Sequence, residues 1–251
     1  DVIFRCNGVE IEEGRLKNAC FARTLPQLNP GLDKNFSLFA MGGYKNLLLV
    51  KQARAYLESI KTLPPHEYMG AVIAQILPRA GYLALQQQLQ TLVLEQGLFP
   101  WGQAVKTELP SFSSLHGLHG AVVCQTEIVK GIAKALGMFC PGLQHATADT
   151  DTDLHEKAAT ALALLQKYDF VLLHINGADE SAHRKNAAEK AAFLRRIDAE
   201  VLAPLAERLP DDAACIVTSD HKTDAATGKH VHCAVEHYIL NGNEESKIWL
   251  K

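Results

Sequence analysis

Two stretches of the chain carry metal-binding side chains at spacings that suit the task. In Asn176-Gly177-Ala178-Asp179-Glu180-Ser181-Ala182-His183, an aspartate and a histidine stand four positions apart. If a helical turn begins near Asp179, both side chains project from one face, and a carboxylate and an imidazole can share one ion. In Ser219-Asp220-His221 the two ligand types are adjacent and directly follow the apolar run Cys215-Ile216-Val217-Thr218. The turn can then present both at one rim. A third stretch, His230-Val231-His232, follows shortly after. Mixed Asp/His donor sets suit Mn²⁺ or Zn²⁺, whereas Mg²⁺ favours oxygen ligands alone. Two such ions about 4 Å apart can clamp a phosphoryl group and activate an oxygen nucleophile. Taken alone, any one of these histidines reads as an ordinary loop or surface histidine. The two clusters taken together do not, because unpaired Asp and His near a buried strand end are costly.

The elements that must position these groups alternate regularly from about residue 107. Gly120 to Leu136 reads as an apolar-periodic helix ending at Gly137, a natural residue for a helix end. Glu156 to Lys167 reads as a second helix, and Phe170 to Ile175 as a buried strand. Ala187 to Leu209 reads as a longer helix with Phe193, Ile197, Val201 and Leu205 at four-residue spacing. Cys215 to Thr218 is another buried strand. Continuous apolar strands between helices predict an α/β fold with a mostly parallel sheet and helices on both faces. In such sheets function sits at the carboxyl edge of the strands, where both clusters fall. Residues 1 to about 106 differ in texture, mixing short strand-like and helix-like runs. Phe4 to Glu12 leads into a turn at Glu13-Gly14, and Leu47 to Val50 is a compact apolar run. Gly70 to Gln96 is helix-like with an interruption at Pro78, while Pro64-Pro65 and Phe99-Pro100-Trp101-Gly102 read as breaks. The run Gln86-Gln87-Gln88 reads as a solvated helix face.

Composition narrows the function classes. The 251 residues are 47% hydrophobic and 21% charged, with a formal net charge of −3, as in an ordinary globular protein. A weakly acidic balance argues against a nucleic-acid partner, and no apolar stretch approaches a membrane span. Six scattered cysteines without a CxxC pair read as free thiols in a reducing compartment. With no charged-then-apolar leader, the cytoplasm is the expected location. Oligomeric state is not legible. Asp1-Val2-Ile3-Phe4 reads like the middle of a longer chain.

The sequence resembles the archaeal type of cofactor-independent phosphoglycerate mutase, in the alkaline phosphatase superfamily. Asp1 to Asn7 is similar to the family's D-x-x-F-R-x-N strand, Tyr44 to Lys51 to its Y-R-x-L-L-V-V-K segment, and Leu63 to Glu67 to x-P-P-H-D. Trp101-Gly102-Gln103, Leu109-Pro110-Ser111-Phe112 and Val129-Lys130-Gly131-Ile132 follow in the family's order. His174 to His183 looks like H-V-x-x-x-D-E-A-x-H, and Ser219 to Thr223 like x-D-H-x-T. The resemblance implies an alkaline-phosphatase-like core over residues 107–251 and a smaller α+β inserted cap domain over residues 1–106. It implies a metal-dependent phosphotransferase that interconverts 3- and 2-phosphoglycerate through a phosphoserine, without bisphosphoglycerate. Two divalent ions are implied, Mn²⁺ in first place with Zn²⁺ or Mg²⁺ as alternatives.

Carried over by position, Asp179, His183 and His230 would hold one ion, and Asp220 and His221 would help hold the second. Arg5 and Asn7 would face substrate, a guanidinium suiting carboxylate or phosphate, and Lys157 would be a weaker phosphate ligand. Arg5 and Lys157 read equally well as solvated or salt-bridged surface residues. The chain departs from the family pattern at Lys45, at Asp224, at Ala234-Val235-Glu236 and in a shorter region between Gln96 and Trp101. The closing segment after Tyr238 is also mostly missing. The family's serine nucleophile and an aspartate for the second ion would precede Asp1, so this chain alone is expected to be inactive. Two further readings stay open: another phosphate-ester hydrolase or transferase of the superfamily, and a degenerate paralogue that binds a metabolite without catalysis.

Overall fold

A computed structural model describes residues 1–22, 33–210 and 212–240. The chain divides into two compact units, Asp1–Thr107 and Glu108–Lys251.

In the first unit, strand alternation builds a half-covered antiparallel sheet. Strands β1 (Val2–Gly8), β4 (Phe36–Gly42), β5 (Lys45–Val50) and β6 (Leu98–Ala104) pair in the order β4-β5-β1-β6, and β2 (Glu10–Glu12) and β3 (Arg15–Asn18) form a separate hairpin. Val2, Phe4 and Cys6 point inward from β1 and pack on Leu85, Leu89 and Leu92. Those leucines belong to helix α2 (Leu83–Gln96), preceded by the single turn α1 (Ile73–Ile76). The helix-like stretch thus breaks around Pro78 as the sequence suggested. Gly97, in the left-handed region at φ 62°, closes α2 and turns the chain into β6. The expected break at Phe99-Pro100-Trp101-Gly102 is instead the body of β6. Pro100 is tolerated because β6 lies at the sheet edge, where its missing N–H is not needed.

The second unit carries the α/β alternation. Its elements are α3 (Phe112–His116), β7 (Gly120–Val123), α4 (Glu127–Ala135), α5 (Leu154–Leu165), β8 (Phe170–Leu173), α6 (Gly177–His183) and α7 (Ala187–Ile197). A wider helical turn, Asp198–Leu202, leads into α8 (Ala203–Arg208), followed by β9 (Cys215–Thr218), β10 (Lys222–Asp224), β11 (Lys229–Val231) and β12 (His237–Leu240). The helix expected over Gly120 to Leu136 is therefore a strand followed by a helix. Gly120 to Val123 is buried throughout, and a run buried on both faces loses the alternation that marks a strand.

β7 and β8 pair in parallel, whereas β9 pairs antiparallel with β12 and β10 with β11. Ala121 and Val123 pack with Ala161 and Leu164 of α5, and Val122 and Cys124 with Ala133 and Met138 on the α4 side. The strands expected to be buried on both faces are half-covered instead: Phe170, Leu172 and Ile216 are 39%, 42% and 43% exposed. Their inward neighbours Val171 and Leu173 lie against the α5 cluster. Phe193, Val201 and Leu205, with Ile197 beside them, pack on Leu154 and Ala158, along the stripe that their spacing predicted.

Helix starts follow the side chains available: Asp153 caps α5 by accepting from the Glu156 N–H, and Asn186 caps α7 by accepting from that of Glu189. Arg184, just past α6, donates to both carboxylate oxygens of Asp149 at 2.8 Å and to Glu189 at 2.6 Å. Among the described residues no disulfide forms, and the Cys124 and Cys140 sulfurs are 3.7 Å apart. Among the described residues no helix is long and apolar enough to cross a membrane.

Candidate metal centre

β8 delivers the first group of ligands. Beyond Leu173 the chain passes through His174, Ile175 and Asn176 and starts α6 at Gly177. A Cβ at Gly177 would lie 2.7 Å from the Phe193 ring and 2.8 Å from the Thr150 backbone nitrogen, so α6 can begin here only with glycine. On α6, Asp179 and His183 share a face as the four-residue spacing predicted, with Asp179 Oδ1 3.4 Å from His183 Nε2.

β9 and the hairpin after it deliver the rest. Asp224 organises the hairpin turn by accepting from the Ala226 N–H and the Thr227 hydroxyl. The turn closes at Gly228, at φ 71°, where a Cβ would sit 3.0 Å from the His183 carbonyl oxygen. The hairpin sets His230 across from Thr223. His230 Nε2 then lies 3.1 Å from His183 Nε2 and 3.8 Å from Asp179 Oδ1. The His221 and His230 ring centroids are 4.0 Å apart. Asp179, His221 and His230 each bring one ligand atom to within 4.8 Å of the others.

The hydrogen bonds decide what these atoms can do. His183 Nδ1 is 2.8 Å from the Gly228 carbonyl oxygen, which can only accept, so Nδ1 carries a proton and Nε2 is the nitrogen turned into the cluster. The Thr223 hydroxyl donates to Asp179 Oδ1 at 2.6 Å and lies 3.1 Å from His221 Nδ1. A carboxylate and imidazole nitrogens converging on one point form the donor set that Mn²⁺ or Zn²⁺ takes, and the residues fit such an ion.

The sequence had grouped His221 with Asp220 on a second ion. His221 Nε2 does lie 3.5 Å from Asp220 Oδ2, and His221 also brings a ring nitrogen within reach of Asp179 and His230; the Asp220 side chain is 83% exposed. Asp220 turns back on its neighbour, with Oδ1 accepting from the His221 backbone N–H at 3.1 Å. Among the described residues a single convergent group forms.

The expected substrate residues also fare differently. Arg5 is exposed, its guanidinium 5.0 Å from the centre of the Trp101 ring. Asn7 is buried; its amide donates to the Ala19 carbonyl at 3.0 Å and accepts from the Trp101 indole N–H at 2.9 Å. It holds Trp101 and has no free face for a ligand, because strand alternation turns it toward the β2–β3 side of the unit. Lys157 is buried on α5 and donates to the His174 carbonyl at 3.2 Å, which corrects its alternative reading as a solvated or salt-bridged surface residue and turns its ammonium to the backbone instead of a phosphate. Burial lowers its pKa and also pushes the Cys124 thiol up to about 12. His174 is held below its usual range, first by burial and then by the Lys157 charge.

Sequence reasoning gave no role to Thr223 or His174. Thr223 carried a usable signal: residues two apart along a strand face the same way, so His221 implies its neighbour at Thr223.

Comparison with known proteins agrees with this geometry. The profile described as "Metalloenzyme superfamily" matches residues 22–247. The 2,3-bisphosphoglycerate-independent phosphoglycerate mutase 2 of Methanothermobacter thermautotrophicus is 28% identical over 261 residues, covering 92% of this chain and 64% of that protein. The corresponding mutase of Methanopyrus kandleri is 37% identical over 134 residues, covering 53% of this chain and 32% of that protein. The chain thus spans at most about two thirds of these relatives' length. Among solved structures, the PH0037 protein of Pyrococcus horikoshii shares the fold with a TM-score of 0.68 at 20% identity, over 96% of this chain and 64% of that one. With the profile matched over most of its length and an Asp/His cluster built at the strand ends, the chain belongs to the metalloenzyme superfamily.

Proposed function

We propose that the protein is a metal-dependent phosphotransferase that interconverts 3- and 2-phosphoglycerate, with Asp179, His183, His221 and His230 as its metal ligands. The observation that carries this reading is the convergence of Asp179, His183 and His230, with His221 within reach of Asp179 and His230 and the outward nitrogen of His183 tied to the Gly228 carbonyl. The names of the relatives support the substrate. A divalent ion held there, Mn²⁺ first with Zn²⁺ or Mg²⁺ as alternatives, supplies Lewis-acid polarisation of a phosphoryl oxygen. The chain's own residues do the positioning. Asp179 brings negative charge, and the imidazoles bring lone pairs in fixed orientations. Asp220, its carboxylate open to solvent, is the ligand offered to a second ion. Arg5, lying over Trp101, suits bidentate recognition of a carboxylate or phosphate. In this reading residues 1–106 act as the substrate cap and residues 107–251 as part of the catalytic core, and the protein works in the cytoplasm without bisphosphoglycerate.

Isothermal titration with Mn²⁺ tests the centre: one well-formed site is expected, and Asp179→Ala should abolish it. Conversion of 3-phosphoglycerate by the complete gene product with added Mn²⁺ tests the reaction. Hydrolysis of other phosphomonoesters without that conversion would replace the substrate assignment. A wild-type protein that takes up no divalent ion would refute the whole reading.

A further inference from the structure

We propose that Thr223 is a positioning residue that fixes which nitrogen of His221 is left to ligate; the inference rests on the metal reading above for its purpose. Thr223 is buried, and its hydroxyl oxygen lies 2.6 Å from Asp179 Oδ1 and 3.1 Å from His221 Nδ1. A hydroxyl has one proton to give, and a carboxylate can only accept. That proton therefore points at Asp179, and the oxygen must accept from His221. His221 then carries its own proton on Nδ1 and keeps Nε2, which lies 3.5 Å from Asp220 Oδ2, as the donor atom.

The hydroxyl is held in place from the backbone side as well. The Thr223 carbonyl accepts from Lys190 Nζ at 2.7 Å, tying β10 to α7, and Thr223 pairs with His230 across the hairpin. His183 meets the same requirement through a different acceptor, the Gly228 carbonyl. Both rings are thereby set in one tautomer before any ion arrives. A ring in the other tautomer would turn an N–H toward the cation and exclude it.

Thr223→Val keeps the shape and removes the hydroxyl, and Thr223→Ser restores it. The first readout is long-range ¹⁵N–¹H correlation of the imidazoles in metal-free protein at mildly alkaline pH. Wild type and Thr223→Ser should show His221 protonated on Nδ1, and Thr223→Val should show the Nε2–H form or a mixture. The second is Mn²⁺ titration, where Thr223→Val should bind about 10–100-fold more weakly and Thr223→Ser within about threefold of wild type. A His221 protonated on Nε2 in the wild type overturns the proposal, and that spectrum decides even if the valine variant does not fold. So does unchanged Nδ1 protonation in a folded Thr223→Val. If the wild type takes up no Mn²⁺, the metal reading falls while the tautomer measurement still judges Thr223.

Discussion

Replacing Asn7 by alanine separates a substrate-facing role from the architectural one that its contacts describe. Its amide satisfies the Ala19 carbonyl and the Trp101 indole N–H at 3.0 and 2.9 Å, in a site where Asn7 is 5% exposed. Alanine leaves both partners unsatisfied. At about 1–3 kcal/mol for each buried polar group left without a partner, the first unit should lose about 2–6 kcal/mol. With a urea slope of about 1–2 kcal/mol per molar for a unit of this size, the midpoint should fall by about 1–6 M. The assay is urea unfolding followed by far-ultraviolet circular dichroism together with tryptophan fluorescence. Asn7→Asp retains an acceptor for Trp101 and loses the donor to Ala19, so it should fall between wild type and alanine. Arg5→Ala, on the exposed face, should change stability by no more than about 0.5 kcal/mol. If Asn7→Ala unfolds within about 0.5 kcal/mol of wild type, the hydrogen bonds are not structural and the reasoning fails.

Burial lowers the Lys157 pKa, so the unfolded chain holds this proton more tightly than the folded one, and stability should rise with pH up to about 10.4, the unfolded value. Lys157→Met should remove that alkaline rise, read as the difference between urea midpoints at neutral and mildly alkaline pH, and an equal rise in both proteins would contradict the burial argument. Arg184 holds the Asp149 carboxyl below its usual range. The stability this pair adds is therefore present above about pH 4 and lost as Asp149 protonates below it. The pair is half-exposed, so Arg184→Gln should lower neutral-pH stability by no more than about 1 kcal/mol and shrink the loss on acidification. An unaltered acid limb would count against it.

What the sequence disclosed followed from how local each signal is. The spacing of Asp179 and His183 needs only one helical turn to have meaning, and the stripe Phe193, Ile197, Val201 and Leu205 needs only one helix face. Both stand as read. β7 was hidden because burial on both faces removes the polar positions that would reveal its period. β6 was hidden by Pro100, whose meaning depends on the strand lying at an edge, a fact of sheet order and not of local sequence. The grouping of ligands was legible only in part. Adjacency suggested that Asp220 and His221 act together, and His221 Nε2 does lie 3.5 Å from Asp220 Oδ2. That His221 also faces Thr223 through Nδ1 depends on how the hairpin folds back, which adjacency alone does not reveal.

The hairpin that supplies His230 has little packing of its own, since Lys229, His230 and Val231 are all exposed. What ties it to α6 is polar: the Gly228 carbonyl to His183, and Thr223 to Asp179. His183 and His230 are 47 positions apart in sequence. On the proposed reading, a cation gripping both acts as a removable cross-link across that loop. A permanent link over such a length restricts the unfolded chain by about 4 kcal/mol. Chelation should then loosen this hairpin before any helix, and proteases that cut after lysine should find Lys229 first. The ion would then reinforce a hairpin whose ring tautomers are already set, so its availability would govern how long the protein survives as well as what it can do.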